Sequence, residues 1–278
     1  MAFALAPEAV AAGYNLASYD TIGSTSTEAM ARLRGGEQGP LWVVSRHQSK
    51  GKGRRGNAWQ SPPGNLAASL AVTLDAEPAT VATLGFVAGV AAARALDEIA
   101  SRSCASPSPL AGEGEKERPR FTLKWPNDVL AGGAKLVGVL VETEALDGGR
   151  AVVVGIGVNV AHAPEGLPYP TTSLASLDIA ATAETVFATL SAAWVKTIRV
   201  WDGGSGFAAV RAMWLERAVG LGRPMAVTSG SSTVSGTFET LDEGGQLMIR
   251  TREGRSVSVS AGEVFFGEAG TGRPEVAA

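Results

Sequence analysis

The chain has 278 residues, 45% of them hydrophobic and 18% charged, with a formal net charge of −3. That length fits one large core or two unequal domains, and the charge excludes a global basic field for nucleic acid, so any basic site must be local. A single cysteine, Cys104, excludes an internal disulfide and suits a reducing compartment, and with only His47 and His162 beside it a zinc cluster is not expected.

The N-terminal stretch MAFALAPEAVAAGYN has no basic n-region and reads as no signal peptide. No apolar run reads as long enough to cross a membrane. Residues 1–18 are too short for a domain, and no recognition-helix pattern appears there. Tyr19–Gly23 reads as a strand leading to a helix. Thr25-x-x-Glu28 matches a capping box, with a helix from Ser26 to about Arg34 that ends at Gly35-Gly36. Ser24, Thr25, Ser26 and Thr27 cluster at that N-terminus, where free N–H groups and hydroxyls either cap the helix or hold a polar ligand.

Leu41–Ser45 reads as a strand. The following stretch, His47 to Asn65, is dense in cations and glycine. Gly51-x-Gly53-x-x-Gly56 matches a dinucleotide fingerprint by letter, but Pro62-Pro63-Gly64 forbids the helix that fingerprint must open. Nor is it a phosphate-binding Walker loop, because Gly53 follows Lys52. A flexible cationic loop remains, flanked by apolar strands, whose conformation depends on a ligand. It reads as a lid over a small phosphorylated ligand, against a solvated basic loop or one that touches nucleic acid.

Leu66–Leu74 is a strand, and Thr83–Ile99 has the spacing of a helix packed on a sheet. Residues 101–120, rich in Pro, Gly, Ser and charge, read as an exposed disordered insertion that holds Cys104 away from any site. Phe121–Glu144 joins a strand, the turn Lys124-Trp125-Pro126-Asn127-Asp128 and a second apolar strand opened by Lys135, with Gly132-Gly133 letting the chain reverse. An ammonium at the mouth of a buried strand needs an anion; a ligand carboxylate or phosphate would serve, and so would Asp128 across the turn. Arg150–Val160 is a buried strand in which Gly155 and Gly157 admit a close approach. Asn159 at its end either caps a turn or bonds a nucleobase or ribose. Helices follow at Thr182–Val200 and Phe207–Val219. Beyond Arg223, short strands at Met225–Thr228, Thr233–Leu241, Gln246–Thr251 and Ser256–Ser260 make a small β-barrel of about sixty residues with a frayed tail, Gly267–Ala278.

Four blocks taken together resemble the biotin protein ligase family, in its short class without a DNA-binding domain. They are Ser24-Thr25; Gln48-x-x-Gly51-Lys52-Gly53-Arg54-Arg55-Gly56 with Trp59 and Ser61-Pro62; Lys124 to Asp128 with Lys135-x-x-Gly138; and Gly155-x-Gly157-x-Asn159. The resemblance implies an α+β fold. A mixed central sheet packed by helices, like a class II synthetase, forms a catalytic domain over 1–220, and a small SH3-like barrel follows over 221–278. It implies a cytoplasmic ATP-dependent ligase that makes biotinyl-AMP and passes biotin to a lysine of a biotin carboxyl carrier protein, with Mg²⁺ accompanying ATP and no metal site of its own. The carrier would be a subunit of acetyl-CoA carboxylase or of another biotin-dependent carboxylase. The family often pairs through strand edges, which implies a homodimer, with neither DNA nor membrane as a partner.

The family's roles carry over residue by residue. Ser24, Thr25, Ser26, Gln48 and Lys52 would bind biotin; the Gly53 backbone and Arg54 would enclose its carboxylate and the phosphate. Lys135 would bridge that carboxylate and the α-phosphate. Arg54, Arg55, Trp59, Asn127, Lys135 and Asn159 would hold the nucleotide, and Asp128 would orient or deprotonate the carrier lysine. Lys52, Ser26 and Asn57 depart from the residues common in the family. Rival readings are a lipoate-protein ligase or octanoyltransferase of the same core fold, a regulator that senses biotinyl-AMP, and a nucleotide-binding module without catalysis.

Overall fold

The computed structural model describes residues 2–104 and 119–266, with Cys104 described by its backbone alone. A seven-stranded sheet runs in the order β1-β2-β3-β7-β6-β5-β4. Its strands are β1 (Asn15–Ile22), β2 (Leu41–Gln48), β3 (Leu66–Leu74), β4 (Phe121–Lys124), β5 (Asp128–Ala131), β6 (Ala134–Leu146) and β7 (Gly149–Val158). Only β1 and β2 pair in parallel, and helix α2 (Thr25–Arg34) makes the crossover that a parallel pair requires. The earlier segment holds a short helix, α1 (Pro7–Ala11), and most of β1, where the sequence had shown only the end of a strand.

Period-2 alternation decides which face each side chain serves. On β2, Trp42 and Val44 enter the main core, while Leu41 and Val43 join Ala29 and Leu33 of α2 in a smaller one. On β7, Val152, Val154, Ile156 and Val158 enter the main core, and Ala151 and Val153 face α2. Gly155 and Gly157 continue the α2 face. The main core lies under α3 (Pro78–Ala82), α4 (Leu84–Cys104), α5 (Ala183–Trp201) and α6 (Phe207–Leu215). Trp42 meets Phe187 and Trp194 of α5 edge-on, with ring centroids 5.7 and 5.8 Å apart, each such pair stabilising by about 0.5–1.5 kcal/mol beyond its buried area.

Several expectations shift. Phe121–Glu144 is a three-stranded antiparallel meander, because Val129 and Leu130 are buried and form their own strand between the two turns. Helix α4 continues to Cys104, so 101–104 are helical and the expected insertion cannot begin at 101; residues 105–118 lie outside the described residues, as does the tail 267–278. Residues Pro78–Ser103 do satisfy the length and hydropathy of a membrane span, with an 18-residue window of mean hydropathy 1.6, contrary to the sequence expectation. Their apolar side chains pack on the sheet and on α5, as a core helix does.

The C-terminal part is a five-stranded antiparallel sheet in the order β11-β10-β9-β8-β12. Its strands are β8 (Pro224–Ser229), β9 (Ser232–Leu241), β10 (Leu247–Arg250), β11 (Ser256–Val259) and β12 (Glu263–Phe266), the last absent from the sequence reading. Its inward side chains, Met225, Val227, Phe238, Leu247 and Ile249, are continuous with the main core. Trp125 links the two sheets: its buried indole N–H donates to the Gly245 carbonyl at 3.1 Å.

Candidate active site

The site lies on the α2 face of the large sheet, where the side chains shrink. Ala67 of β3, Gly157 of β7 and Gly138 of β6 are cross-strand neighbours, and Ser69, Gly155 and Leu140 form the next row. This leaves a floor of backbone. At its edge α2 begins with Ser24 as N-cap, whose hydroxyl accepts from Thr27 N at 3.4 Å. The expected capping box does not form, and the cap sits one residue earlier: Thr25 is already helical, and Glu28 instead bonds Tyr19 and Arg32. That frees the hydroxyls of Thr25 and Ser26 for the floor, where both bond Ser69 Oγ, at 2.8 and 3.0 Å. Gln48 Oε1 accepts from Thr25 N at 2.7 Å and from Thr25 Oγ1 at 3.0 Å. Thr25, Ser26 and Gln48 are thus linked with Ser69 into one polar group beside Ser24, all buried except Gln48.

The cationic loop is ordered by its own backbone, not left open. Bridges at Gln48↔Ser61 and Lys52↔Ala58 fold it into a narrow hairpin. Gly53 N donates to Asn57 O at 2.8 Å, and Arg55 sits at the tip in the left-handed region, φ 54°, exposed. Lys52 Nζ pairs with Glu142 of β6 at 3.8 Å, which ties the hairpin to the sheet. Arg54 Nη1 donates to Asn127 Oδ1 at 3.2 Å, while the Asn127 side-chain amide donates to Val139 O. The hairpin delivers Trp59 onto the glycine floor.

A Cβ added at Gly157 would stand 2.4 Å from the indole, and one at Gly138 would stand 2.7 Å from it. No side chain fits under that ring. Of the six tryptophans, the other five are all 4% exposed or less, so acrylamide quenching of fluorescence reads Trp59 alone. Gly157→Ala is expected to lift the indole and raise the quenchable fraction, because overpacking of this kind costs about 1–3 kcal/mol. Unchanged quenching would mean that the ring does not rest on the floor.

Beside the floor, Lys135 Nζ and Asp128 Oδ1 stand 2.8 Å apart, with side chains 18% and 20% exposed. Of the two counter-anions the sequence allowed, the structure provides Asp128. Around the same carboxylate lie Arg54 and Lys124. Burial lowers the pKa of Lys124; Asp128 opposes that, the like charge of Lys135 adds to it, and Glu263 of β12 opposes it. Burial likewise lowers the pKa of Arg54, Arg55 adds to this, and Asp128 and Glu263 act against it. Arg54 and Lys124, both desolvated, stand with Lys135 around Asp128, with Glu263 as a second carboxylate, and the three cations leave an excess of positive charge that a ligand anion would relieve. Asn159 is 1% exposed; its Nδ2 donates to Thr172 O at 3.0 Å, and its Oδ1 has no partner. A small cleft lies among Trp59, Lys135, Asn159, Leu167 and Tyr169.

The sequence reading assigned no role to Lys124, Tyr169 or Glu263. Lys124 stood inside the quoted motif; the other two come from segments whose neighbours only the fold reveals. Among the described residues no group of three or more His, Cys, Asp or Glu is placed to hold a metal ion.

Residues 20–159 match the Biotin/lipoate A/B protein ligase family, and 220–267 match the Biotin protein ligase C terminal domain. The chain belongs to the biotin/lipoate A/B protein ligase family. It is 37% identical to the biotin–[acetyl-CoA-carboxylase] ligase of Paracoccus denitrificans over 88% of its own length and 97% of that protein's. It is 28% identical to the bifunctional ligase/repressor of Bacillus subtilis, over 87% of this chain and 71% of the relative. The biotin protein ligase of Aquifex aeolicus, solved in complex with biotin and ATP, shares the fold at a TM-score of 0.72 and 24% identity, over 91% of this chain and 99% of that one.

Proposed function

We propose that this ligase joins biotin to a lysine of a biotin carboxyl carrier protein through biotinyl-5′-AMP. In the first step a biotin carboxylate oxygen attacks the α-phosphorus of ATP, the bond to the β-phosphate bridging oxygen breaks, and pyrophosphate leaves with Mg²⁺ that entered on ATP. In the second the lysine amine attacks the acyl carbon, the bond to the phosphate oxygen breaks, AMP leaves, and the amine proton passes to Asp128 and from there to solvent.

The observation that carries the reading is the excess of cations round Asp128 beside a glycine floor. Two anions must meet in the first step, and fixed cations are the preorganised answer to that repulsion. Lys135 bridges the carboxylate and the α-phosphate. The Gly53 backbone and Arg54 enclose them from the hairpin side. Ser24, Thr25, Ser26, Gln48 and Lys52 receive the biotin head group. Trp59, Arg55, Asn127 and Asn159 hold the nucleotide, and Asp128, released from Lys135, receives the carrier lysine. Closure of the hairpin keeps water from the mixed anhydride. Residues 1–220 are the catalytic domain and 221–278 the C-terminal domain, in a cytoplasmic homodimer that takes neither DNA nor membrane as partner.

Pyrophosphate release with MgATP and biotin, lipoate or octanoate in turn tests this. Release with biotin alone is expected. Release with lipoate alone would move the chain to the sister activity on the same fold, and none with any acid would leave a binding module.

A further inference from the structure

We propose that Tyr169 is a positioning residue for Lys135, closing with Trp59 an aromatic clamp on its ammonium. The ammonium lies 5.6 Å from the centroid of the Trp59 ring and 5.5 Å from that of Tyr169. Asp128 takes one of its three N–H donors. The two rings come from unrelated segments, the hairpin after β2 and the loop after β7, so no local sequence pattern explains their meeting over one cation.

Tyr169 is not a loose rim residue, although it is 39% exposed. The backbone beside it is stapled to Lys135 itself: Lys135 N donates to Pro170 O at 2.9 Å, and Thr172 N donates to Lys135 O at 3.0 Å. Thr171 Oγ1 bonds Pro164 O at 2.5 Å, which closes the loop on itself. Asn159 Nδ2 holds Thr172 O from below. The ring and the ammonium it faces are therefore carried by one short backbone ladder that is independent of the hairpin. A ring face attracts a cation through its quadrupole, more strongly as water is excluded. The clamp holds a long flexible side chain from two sides at the edge of the cleft that Lys135, Trp59, Tyr169 and Asn159 line. An anion that entered there would meet an ammonium already held in place.

This inference rests on the proposed adenylation only for its kinetic consequence, so two readouts separate them. In the unliganded protein, the rate at which an amine-acylating reagent labels Lys135, followed by peptide mass spectrometry, reports the clamp directly. Tyr169→Leu, which keeps apolar bulk and loses the ring, is expected to raise that rate about two- to fivefold. Tyr169→Phe and Tyr169→Trp, which keep a ring face, are expected to leave it within twofold of the wild type. Equal labelling in all four proteins, or Phe behaving as Leu, would overturn the clamp. In pyrophosphate release, Leu is expected to lower kcat about five- to tenfold with the KM for biotin unchanged, and Phe to restore it. A loss confined to KM would overturn the positioning role. Should the wild type release no pyrophosphate while the labelling pattern holds, the adenylation reading falls and the clamp stands.

Discussion

Lys135→Ala is expected to lower biotin-dependent pyrophosphate release by about 10²- to 10³-fold, the usual cost of removing one preorganised charge-stabilising donor. The substitution removes the cation that pairs with Asp128 at 2.8 Å, and leaves that carboxylate facing the proposed anion site. Arg54 and Lys124 still act on it, so the site loses a specific donor more than its whole charge. Two controls sharpen the result. The thermal midpoint should move by only a few degrees, since a partly exposed ion pair contributes about 0–1 kcal/mol. Transfer from preformed biotinyl-AMP to the carrier should suffer far less than adenylation, because the repulsion Lys135 is proposed to oppose belongs to the first step. An equal loss in both half-reactions would assign Lys135 to holding the nucleotide, and full activity would remove it from the mechanism.

What the sequence made legible was local chemistry. The Lys124–Asp128 turn, the glycines of β7 and the cationic hairpin could each be recognised because a few neighbouring residues carry the constraint. The same is true of helix α5, which the structure extends by a residue to Trp201, and which begins with a true capping box between Thr182 and Thr185. The errors came where a residue had two local uses and the fold chose between them. Thr25 fitted a capping box, yet the serine before it takes the cap because Thr25 is claimed by Gln48 and Ser69 from two other strands. The hairpin looked too polar and glycine-rich to order itself, but its bridges at Gln48↔Ser61 and Lys52↔Ala58 are backbone bonds, indifferent to side-chain type. Glu263 and Tyr169 were illegible for a different reason. Strand β12 is four residues long and shows no helical or alternating signature of its own; its place beside Lys124 is set by pairing with β8 and by the Phe266 ring, 5.6 Å from Lys124 Nζ.

Asn65 is a structural residue that the sequence showed only as the last of the cationic loop. It follows Pro62-Pro63-Gly64, the composition of a loop, and is 1% exposed. Its Oδ1 accepts from the backbone N–H groups of Val160, Ala161 and His162, each at 3.0 Å, and its Nδ2 donates to His162 O at 2.8 Å. One side chain thus shapes the backbone just after Asn159, where β7 gives way to the loop that carries Tyr169. Asn65→Ala would strand three donors, one of them on fully buried Val160. At about 1–3 kcal/mol for each buried group left unpaired, less what water recovers at exposed His162, the expected cost is about 3 kcal/mol. For a chain of this size that corresponds to a fall of roughly 6–12 °C in thermal midpoint. Asn65→Asp keeps the acceptor and loses only the donor to His162 O. A carboxylate in such a cradle has its folded pKa depressed, so its stabilisation is present above the ordinary carboxylate range and is lost as pH falls through the folded value. The Asp variant should therefore approach the wild type at pH 7 and fall towards the Ala variant in acid. Equal midpoints for Ala and wild type would mean that the three N–H groups find other acceptors, and an Asp variant as damaged as Ala at pH 7 would place the cost on the lost His162 bond instead.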